Sequence, residues 1–152
     1  MKASAIKVVT VALLAVALTG CEIAARVKTS GAYEGLTNKD PSKGQVFVYR
    51  EKAFAGSANQ YDVMLNGALV GSLPNGSFIS VMISPGQTKV EPRTLTSFGF
   101  GKGSTINVEA GKSYCLQLTL NFCLQCKSAD INPVSTEQCE SDIKSLERVV
   151  LE

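Results

Sequence analysis

Short runs of alternating apolar and polar residues, separated by turn residues, fill the chain from Gly44 onward. Runs with this period of two predict strands over residues 45–50, 61–65, 68–73, 78–83, 87–93, 105–109, 113–122 and 130–134. Turn signals recur about every eight to twelve residues, which is typical of a sandwich or small barrel and not of a parallel sheet with crossover helices. We expect a mainly β fold, namely a small antiparallel β-sandwich.

Asn66-Gly67, between two apolar runs, is the sharpest local signal in this pattern. Both residues tolerate the positive φ that a two-residue hairpin turn requires. Such a turn would place Leu65 opposite Ala68, and Val63 opposite Val70. In the strand at 113–122, the stripe of Leu116, Leu118, Leu120 and Phe122 indicates the face toward the core.

One segment departs from the strand period and predicts a C-terminal α-helix over residues 136–149. Ser135 followed by Gln138 has the form of a capping box, and Ile143, Leu146 and Val150 recur at helical spacing. We expect this helix to pack against the sandwich or to cover one of its ends.

The first 21 residues resemble a bacterial lipoprotein signal. Lys2 and Lys7 precede an apolar stretch that is too short to span a bilayer, and Leu18-Thr19-Gly20-Cys21 resembles a lipobox. The resemblance implies that a signal peptidase recognises Leu18, Thr19 and Gly20, cuts before Cys21, and leaves this cysteine lipidated. The alternative is an ordinary secretory signal that happens to end beside a cysteine.

Two or three acyl chains on Cys21 would give a stable membrane anchor, because each buried methylene contributes about 0.8 kcal/mol. Glu22 stands where the best-known inner-membrane retention signal has Asp, so we expect the periplasmic face of the outer membrane more than the inner membrane. The expected domains are a signal peptide (1–20), a lipidated N-terminus with a flexible tether (21–43) and the β-sandwich with its helix (44–152). Residues 23–27 could alternatively form a short interfacial turn.

The composition of the chain excludes several kinds of activity and binding partner. Cleavage after residue 20 removes two lysines and no acid, which leaves 13 basic and 13 acidic residues, so the mature chain has no basic excess for nucleic acid. Histidine is absent, which excludes Ser-His and Cys-His nucleophile pairs and His-based metal sites. We interpret the chain as a non-enzyme with no cofactor and no metal.

Several turn and strand motifs are similar to those of a known family. They are residues 45–50, 61–67, 71–73, 75–78, 84–86 and 111–114. Together they resemble the bacterial lipoprotein family called domain of unknown function 2846, over roughly residues 44–146. The resemblance implies a β-rich lipoprotein domain, and it supplies no activity and no catalytic residues.

Four cysteines remain besides Cys21, and an even number in an exported chain indicates two disulfides. If residues 124–125 form a hairpin tip, Cys123 faces Cys126 and Cys115 lies near the helix that carries Cys139. We therefore favour the pairs Cys115–Cys139 and Cys123–Cys126. A redox-active Cys123/Cys126 dithiol and a zinc site of four thiolates are the less favoured alternatives.

These observations predict an envelope lipoprotein whose sandwich is a non-catalytic binding or structural module. Its partner would be the membrane, through Cys21, and an envelope protein. Edge strands and a Gly-rich loop that carries Phe98 and Phe100 could contact that protein. A glycan- or peptidoglycan-binding module is the main alternative, although the chain has no tryptophan to stack on sugars.

Overall fold

Ten strands and one helix make up the part of the chain that the computed structural model describes, residues 27–93, 101–122 and 127–151. In chain order the elements are β1 (Val27–Thr29), β2 (Gly44–Arg50), β3 (Tyr61–Leu65), β4 (Ala68–Leu73), β5 (Ser77–Ile83), β6 (Gly86–Arg93), β7 (Ser104–Val108), β8 (Ser113–Phe122), β9 (Lys127–Val134), α1 (Thr136–Ile143) and β10 (Glu147–Leu151). Six strands form one sheet in the order β1-β10-β5-β2-β8-β9, and four form the other in the order β4-β3-β6-β7.

The two sheets pack face to face around one apolar core, so the expected β-sandwich is confirmed. Val46, Val48 and Leu116 contribute from the six-stranded sheet, and Val63 and Val90 from the four-stranded sheet, all with no exposed surface. Most described pairings are antiparallel, but β2 pairs with β8, and β5 with β10, in parallel. The sandwich is therefore mainly antiparallel, as expected, with two parallel pairings in its larger sheet.

Strand β2 lies in the middle of the six-stranded sheet and is covered on both faces. Val46 and Val48 face the core between the sheets, whereas Phe47 and Tyr49 belong to a second apolar cluster on the opposite side. We call that opposite side, which faces away from the four-stranded sheet, the outer face. Helix α1 and the segment before β2 cover much of it, because Ile143, Leu36 and Tyr33 pack into the same cluster.

The Asn66-Gly67 hairpin is present, with one change of register. Both residues have positive φ, 48° and 83°, and Leu65 pairs with Ala68 as expected. Val63, however, pairs with Gly71 and not with Val70, because the register shifts between Val63 and Met64. Such a bulge adds one residue to one strand, and no sequence periodicity announces it.

The C-terminal helix is shorter than expected. Ser135 does cap it by accepting a hydrogen bond from the Gln138 amide (3.2 Å), but α1 ends at Ile143. A turn closed by Leu146 N–H to the Ile143 carbonyl (3.0 Å) follows, and Glu147–Leu151 is a strand. The helix over 136–149 is therefore wrong in its second half, because pairing of these residues with β5 and β1 outweighs the helical spacing of Leu146 and Val150.

The segment assigned to a tether contains ordered structure. Val27–Thr29 pairs antiparallel with β10, and Leu36 and Tyr33 pack on the outer face. Residues 27–29 thus form a strand where the sequence predicts a flexible tether, and the partly buried side chains of Tyr33 and Leu36 hold the following segment against the sheet. Residues 21–26 lie outside the described part.

The pairings also fix which strand ends lie together. β1 runs antiparallel to β10, β10 parallel to β5, and β5 antiparallel to β2, so Val27 and Gly44 lie at one end of the sheet. We call this the entry end, and the end with Arg50 and Glu147 the far end. Among the described residues, none of the helical structure has the length and apolar character that a bilayer crossing requires.

Candidate ligand-binding cleft

A cleft of about 310 Å³ opens on the outer face, between the sheet and the segment that leads from β1 to β2. Its floor consists of side chains from three adjacent strands. They are Gln45 and Phe47 of β2, Phe78, Ser80 and Met82 of β5, and Arg148 of β10. Alternate residues of a strand face the same side, so Phe78, Ser80 and Met82 form one continuous row along β5.

Hydrogen bonds and one aromatic contact hold the segment that forms the wall of this cleft. Ser30 N–H donates to the Arg148 carbonyl at 2.8 Å, and the Tyr33 ring meets Phe78 edge to face at 6.1 Å. Nearer the entry end, the Leu36 carbonyl accepts from Ser113 Oγ at 2.5 Å. The Asn38 amide then donates to two backbone carbonyls, at 2.7 and 3.1 Å. The wall is therefore fixed to the sheet at several points along its length.

Tyr33 has a polar as well as an apolar role in this wall. Its hydroxyl lies 3.4 Å from Glu140 of α1, which links the wall to the helix. Partial burial, together with the nearby Glu140 carboxylate, raises the pKa of Tyr33 to about 12. The phenol therefore stays neutral and acts as a hydrogen-bond donor throughout the physiological pH range.

Three of the four charged residues that line the cleft already have partners. Glu34 and Lys39 form an ion pair at 2.8 Å, and Asp40 accepts from the amide (2.9 Å) and hydroxyl (2.6 Å) of Ser42. The Lys39 hydrogen bond, with a smaller contribution from Arg148, holds the pKa of Glu34 below its usual value. Hydrogen bonds from Ser42 lower the pKa of Asp40 in the same way. Both carboxylates are therefore ionised at neutral pH.

Arg148 differs from these three, because its guanidinium makes no hydrogen bond or ion pair to any described residue. Its Nε is buried and has no hydrogen-bond partner. Gln45 also has one buried polar atom without a hydrogen-bond partner. Its Nε2 donates to Ser80 Oγ at 2.9 Å, whereas its Oε1 accepts no hydrogen bond. Buried polar atoms almost always have a partner in folded proteins, so these two unpaired atoms are the polar groups of the cleft that gain most if their side chains turn toward a ligand.

A second polar cluster lies beyond the cleft, toward the far end of the outer face. The Tyr49 hydroxyl donates to Asp142 at 2.6 Å, Gln138 donates to the same carboxylate at 2.7 Å, and Gln117 donates to Glu51 at 2.5 Å. Burial, then repulsion by Asp142, raises the pKa of Glu51, and burial raises that of Tyr49 well above its usual range. These groups satisfy one another, so the cluster joins α1 to the sheet.

A disulfide fastens the helix to the same face. Cys115 of β8 and Cys139 of α1 are bonded, with S–S 2.07 Å and Cα atoms 6.1 Å apart. This is the pairing that the sequence analysis favours. Both cysteines are buried, with 4% and 0% of their surface exposed, so the bond is shielded from exchange with other thiols.

The remaining residues singled out in the sequence lie outside the described residues. They are Leu18, Thr19, Gly20 and Cys21 of the lipobox, Cys123 and Cys126, and Phe98 and Phe100. Their lipidation, pairing and contacts stay predictions. Within the described residues, no group of three or more His, Cys, Asp and Glu side chains is arranged to hold a metal ion.

No local pattern in the sequence predicts the cleft. The alternation of residues 45–50 predicts a common face for Gln45 and Phe47, as the structure shows, but Tyr33 and Glu34 lie in the expected tether and Arg148 in the expected helix. The signal that was available is the β-branched pair Val149-Val150 beside Arg148, which favours a strand over a helix.

Comparison with known proteins agrees with the strand pattern. The sequence profile of one family, described as a protein of unknown function (DUF2846), matches residues 40–129. This match covers more than half of the chain. The chain belongs to this family. No curated protein and no solved structure matches it.

The DUF2846 match covers only some of the residues that line the cleft. It contains Asp40 and the floor residues of β2 and β5, whereas residues 32–39 of the wall and Arg148 lie outside it. Helix α1 and Cys139 also lie beyond its end at residue 129. The family therefore accounts for the sheet under the cleft, and residues outside the match supply the unpaired cation.

Proposed function

We propose that this DUF2846 protein is a lipid-anchored lipoprotein of the bacterial cell envelope, facing the periplasm, and that its sandwich is a non-catalytic binding module. The lipobox at Leu18–Cys21 supports the anchor. Delivery to the outer membrane is favoured by Glu22. Val27 is six positions after Cys21, a chain length of at most about 21 Å, so the entry end stays near the lipid headgroups.

The observation that supports the proposal most is the orientation of the domain relative to the membrane, which follows from the short connection between Cys21 and Val27. The chain enters the domain at the end opposite Arg50, and the loop after Arg50 exposes 98% of the Phe54 side chain. An anchored domain therefore presents an apolar side chain away from its own membrane, where an envelope protein could contact it. The cleft on the outer face is open to the same compartment.

Absence of histidine from the whole chain supports a binding role over catalysis. The commonest general base and the usual nucleophile pairs all require this residue. What the structure adds is an apolar floor with a few polar atoms, the composition of ligand sites.

The anchor is tested on the intact protein recovered from its native envelope. We expect a mass that corresponds to a chain starting at Cys21 with added acyl groups. The variant Cys21→Ala should lose both the acyl groups and the association with the membrane. A secreted product without acyl mass would refute the anchor. Density fractionation of the membranes then decides between outer and inner membrane.

The partner is tested with a photoreactive side chain placed at Phe54 in living cells. The control position is Ala110, which is exposed on the turn before β8, at the entry end. We expect a discrete crosslinked envelope protein from position 54 and none from position 110. Equal products from both positions would contradict a contact surface at the far end.

Binding of peptidoglycan is the second candidate, and the cleft favours it. An apolar floor beside an unpaired arginine suits a peptide carboxylate better than a bare sugar. Co-sedimentation of the purified protein with peptidoglycan sacculi distinguishes this role from a protein scaffold.

A further inference from the structure

The floor of the cleft has one polar side chain at each end, Arg148 and Gln45, and between these ends lie Phe47 and Ser80. Arg148 pairs with Phe78, and Gln45 pairs with Met82, in the register of β5. Met82 is four positions after Phe78 along the strand, which corresponds to about 13 Å. An occupant that reaches both polar residues is therefore an elongated molecule about the length of three or four extended residues.

From these two ends we propose that the cleft binds the carboxyl-terminal end of a short peptide, with the terminal carboxylate at Arg148 and a peptide N–H toward Gln45 Oε1. The inference deepens the proposed binding function and rests on it. A guanidinium presents a planar fork of donors that matches a carboxylate in two parallel hydrogen bonds. Gln45 Oε1 is covered and has no donor, so a rotation of the amide into the cleft brings it to a peptide N–H, which supplies that donor.

Other ligand classes satisfy fewer of these atoms. A fatty acid has a carboxylate and an apolar chain but no donor for Gln45. A sugar has many donors but little to place on Phe47, Phe78 and Met82, and the chain has no tryptophan to stack against it. The volume of about 310 Å³ lies at the small end of ligand sites, which fits a few residues and not a folded segment.

The other charges that face the cleft shape this preference. Glu34 and Asp40 carry negative charge there, and Lys39 is engaged by Glu34. Among the described residues, a ligand carboxylate therefore meets one free cation beside two ionised carboxylates, which disfavours highly acidic ligands. A peptide with a single terminal carboxylate and small apolar side chains fits this balance.

Two sources in the envelope offer this chemistry, the C-terminus of a protein and the stem peptide of peptidoglycan, which differ in the chirality of the last residues. The probes are accordingly Ala-Leu-Ala, its C-terminal carboxamide, and Ala-D-Ala-D-Ala. Each is titrated into the full acylated protein in detergent, and binding is measured by calorimetry and by amide shifts of residues in the cleft.

We expect the free-acid peptides to bind and the carboxamide to bind at least about tenfold more weakly, because the charge-assisted hydrogen bonds to Arg148 are lost. Stronger binding of the L peptide would identify a protein C-terminus as the natural ligand. Stronger binding of the D peptide would identify a stem peptide. The ligand comparison uses the native protein, so it does not depend on the folding of any variant.

Variants then test the two polar residues. Arg148→Met should weaken binding of the free acid by about tenfold and abolish its advantage over the carboxamide, whereas Arg148→Lys should retain part of it. Gln45→Leu should weaken both peptides to a similar degree. Lys89→Met is the matched control, since it removes an exposed cation from the four-stranded sheet and should leave binding unchanged.

Equal affinity for acid and carboxamide, or shifts outside the cleft, would overturn the proposal. No binding of any peptide would overturn it as well, and would leave the anchor standing if Cys21 is still acylated. Loss of acylation with intact peptide binding is the opposite case, in which the cleft inference stands and the lipoprotein assignment fails. Thermal unfolding of each variant shows that the comparisons are made on folded protein.

Discussion

The Cys115–Cys139 disulfide provides the most quantitative test of this fold. It joins β8 to α1 and closes a loop with a sequence separation of 24 residues. In the chain-entropy description, a loop of this size stabilises the folded state by about 3.5 kcal/mol, because the cross-link restricts the unfolded chain. Reduction leaves two buried thiols, which behave as small apolar side chains and add no unpaired charge.

Reduction of the disulfide should also have a local effect on helix α1. Helix α1 has eight residues, well below the length at which an isolated helix is stable in water. Its attachment depends on Cys139, Ile143 and the Tyr49–Asp142 hydrogen bond. Reduction should therefore accelerate amide exchange in α1 before it affects the central strands of the sheet.

The measurement compares oxidised and reduced forms of one protein by guanidinium unfolding. A mature chain with Cys21→Ser, Cys123→Ser and Cys126→Ser isolates the bond, since no other pair can then form. With an m-value of about 3 kcal/mol per M, the midpoint should fall by about 1 M on reduction. A change several times smaller, with unaltered exchange in α1, would show that the helix docks without the cross-link and that the loop argument is wrong.

Three further predictions concern the sheet and its far end. Arg50→Met removes hydrogen bonds to the Gly56 and Asn59 carbonyls (2.7 and 2.6 Å), so we expect a loss of about 2–3 kcal/mol in unfolding free energy and faster amide exchange in the loop after β2. Gly44→Ala places a Cβ against Val108, which should lower the unfolding free energy by about 1–3 kcal/mol; an unchanged midpoint would contradict this packing. Glu51 has a raised pKa in the fold, so it favours folding at low pH and this contribution is lost as pH rises through the folded pKa. Glu51→Gln should therefore be more stable than the parent at neutral pH and equal to it below pH 4.5, as pH-dependent melts would show.

The strands were predictable because their signals are local. Alternation and turn residues located β3, β4 and β8 to the residue, and the Asn66-Gly67 hairpin followed from backbone sterics alone. The capping interaction of Ser135 is equally local. Each of these depends on residues within a few positions of one another.

The rest depends on partners that are distant in the sequence. Residues 147–151 have helical spacing to the preceding residues, and only pairing with β5 and β1 makes them a strand. Tyr33 contacts Phe78 and Glu140, and both residues are too distant in the sequence for a local pattern to predict these contacts. The cleft was missed for this reason, since its wall and its cation both lie in segments that fold through such long-range contacts.

This division has a consequence for the family. A fold does not determine function, which resides in the groups placed on it. The DUF2846 match ends at residue 129 and begins at residue 40, so it covers β2 and β5 but neither Tyr33 and Glu34 nor Arg148. The apolar floor is then a property of the shared strands, whereas the charge that would select a carboxylate comes from the flanks. We therefore expect DUF2846 domains with other flanking segments to share the sandwich and to differ in what this face binds. Replacing Arg148 alone should change ligand choice here without changing the fold.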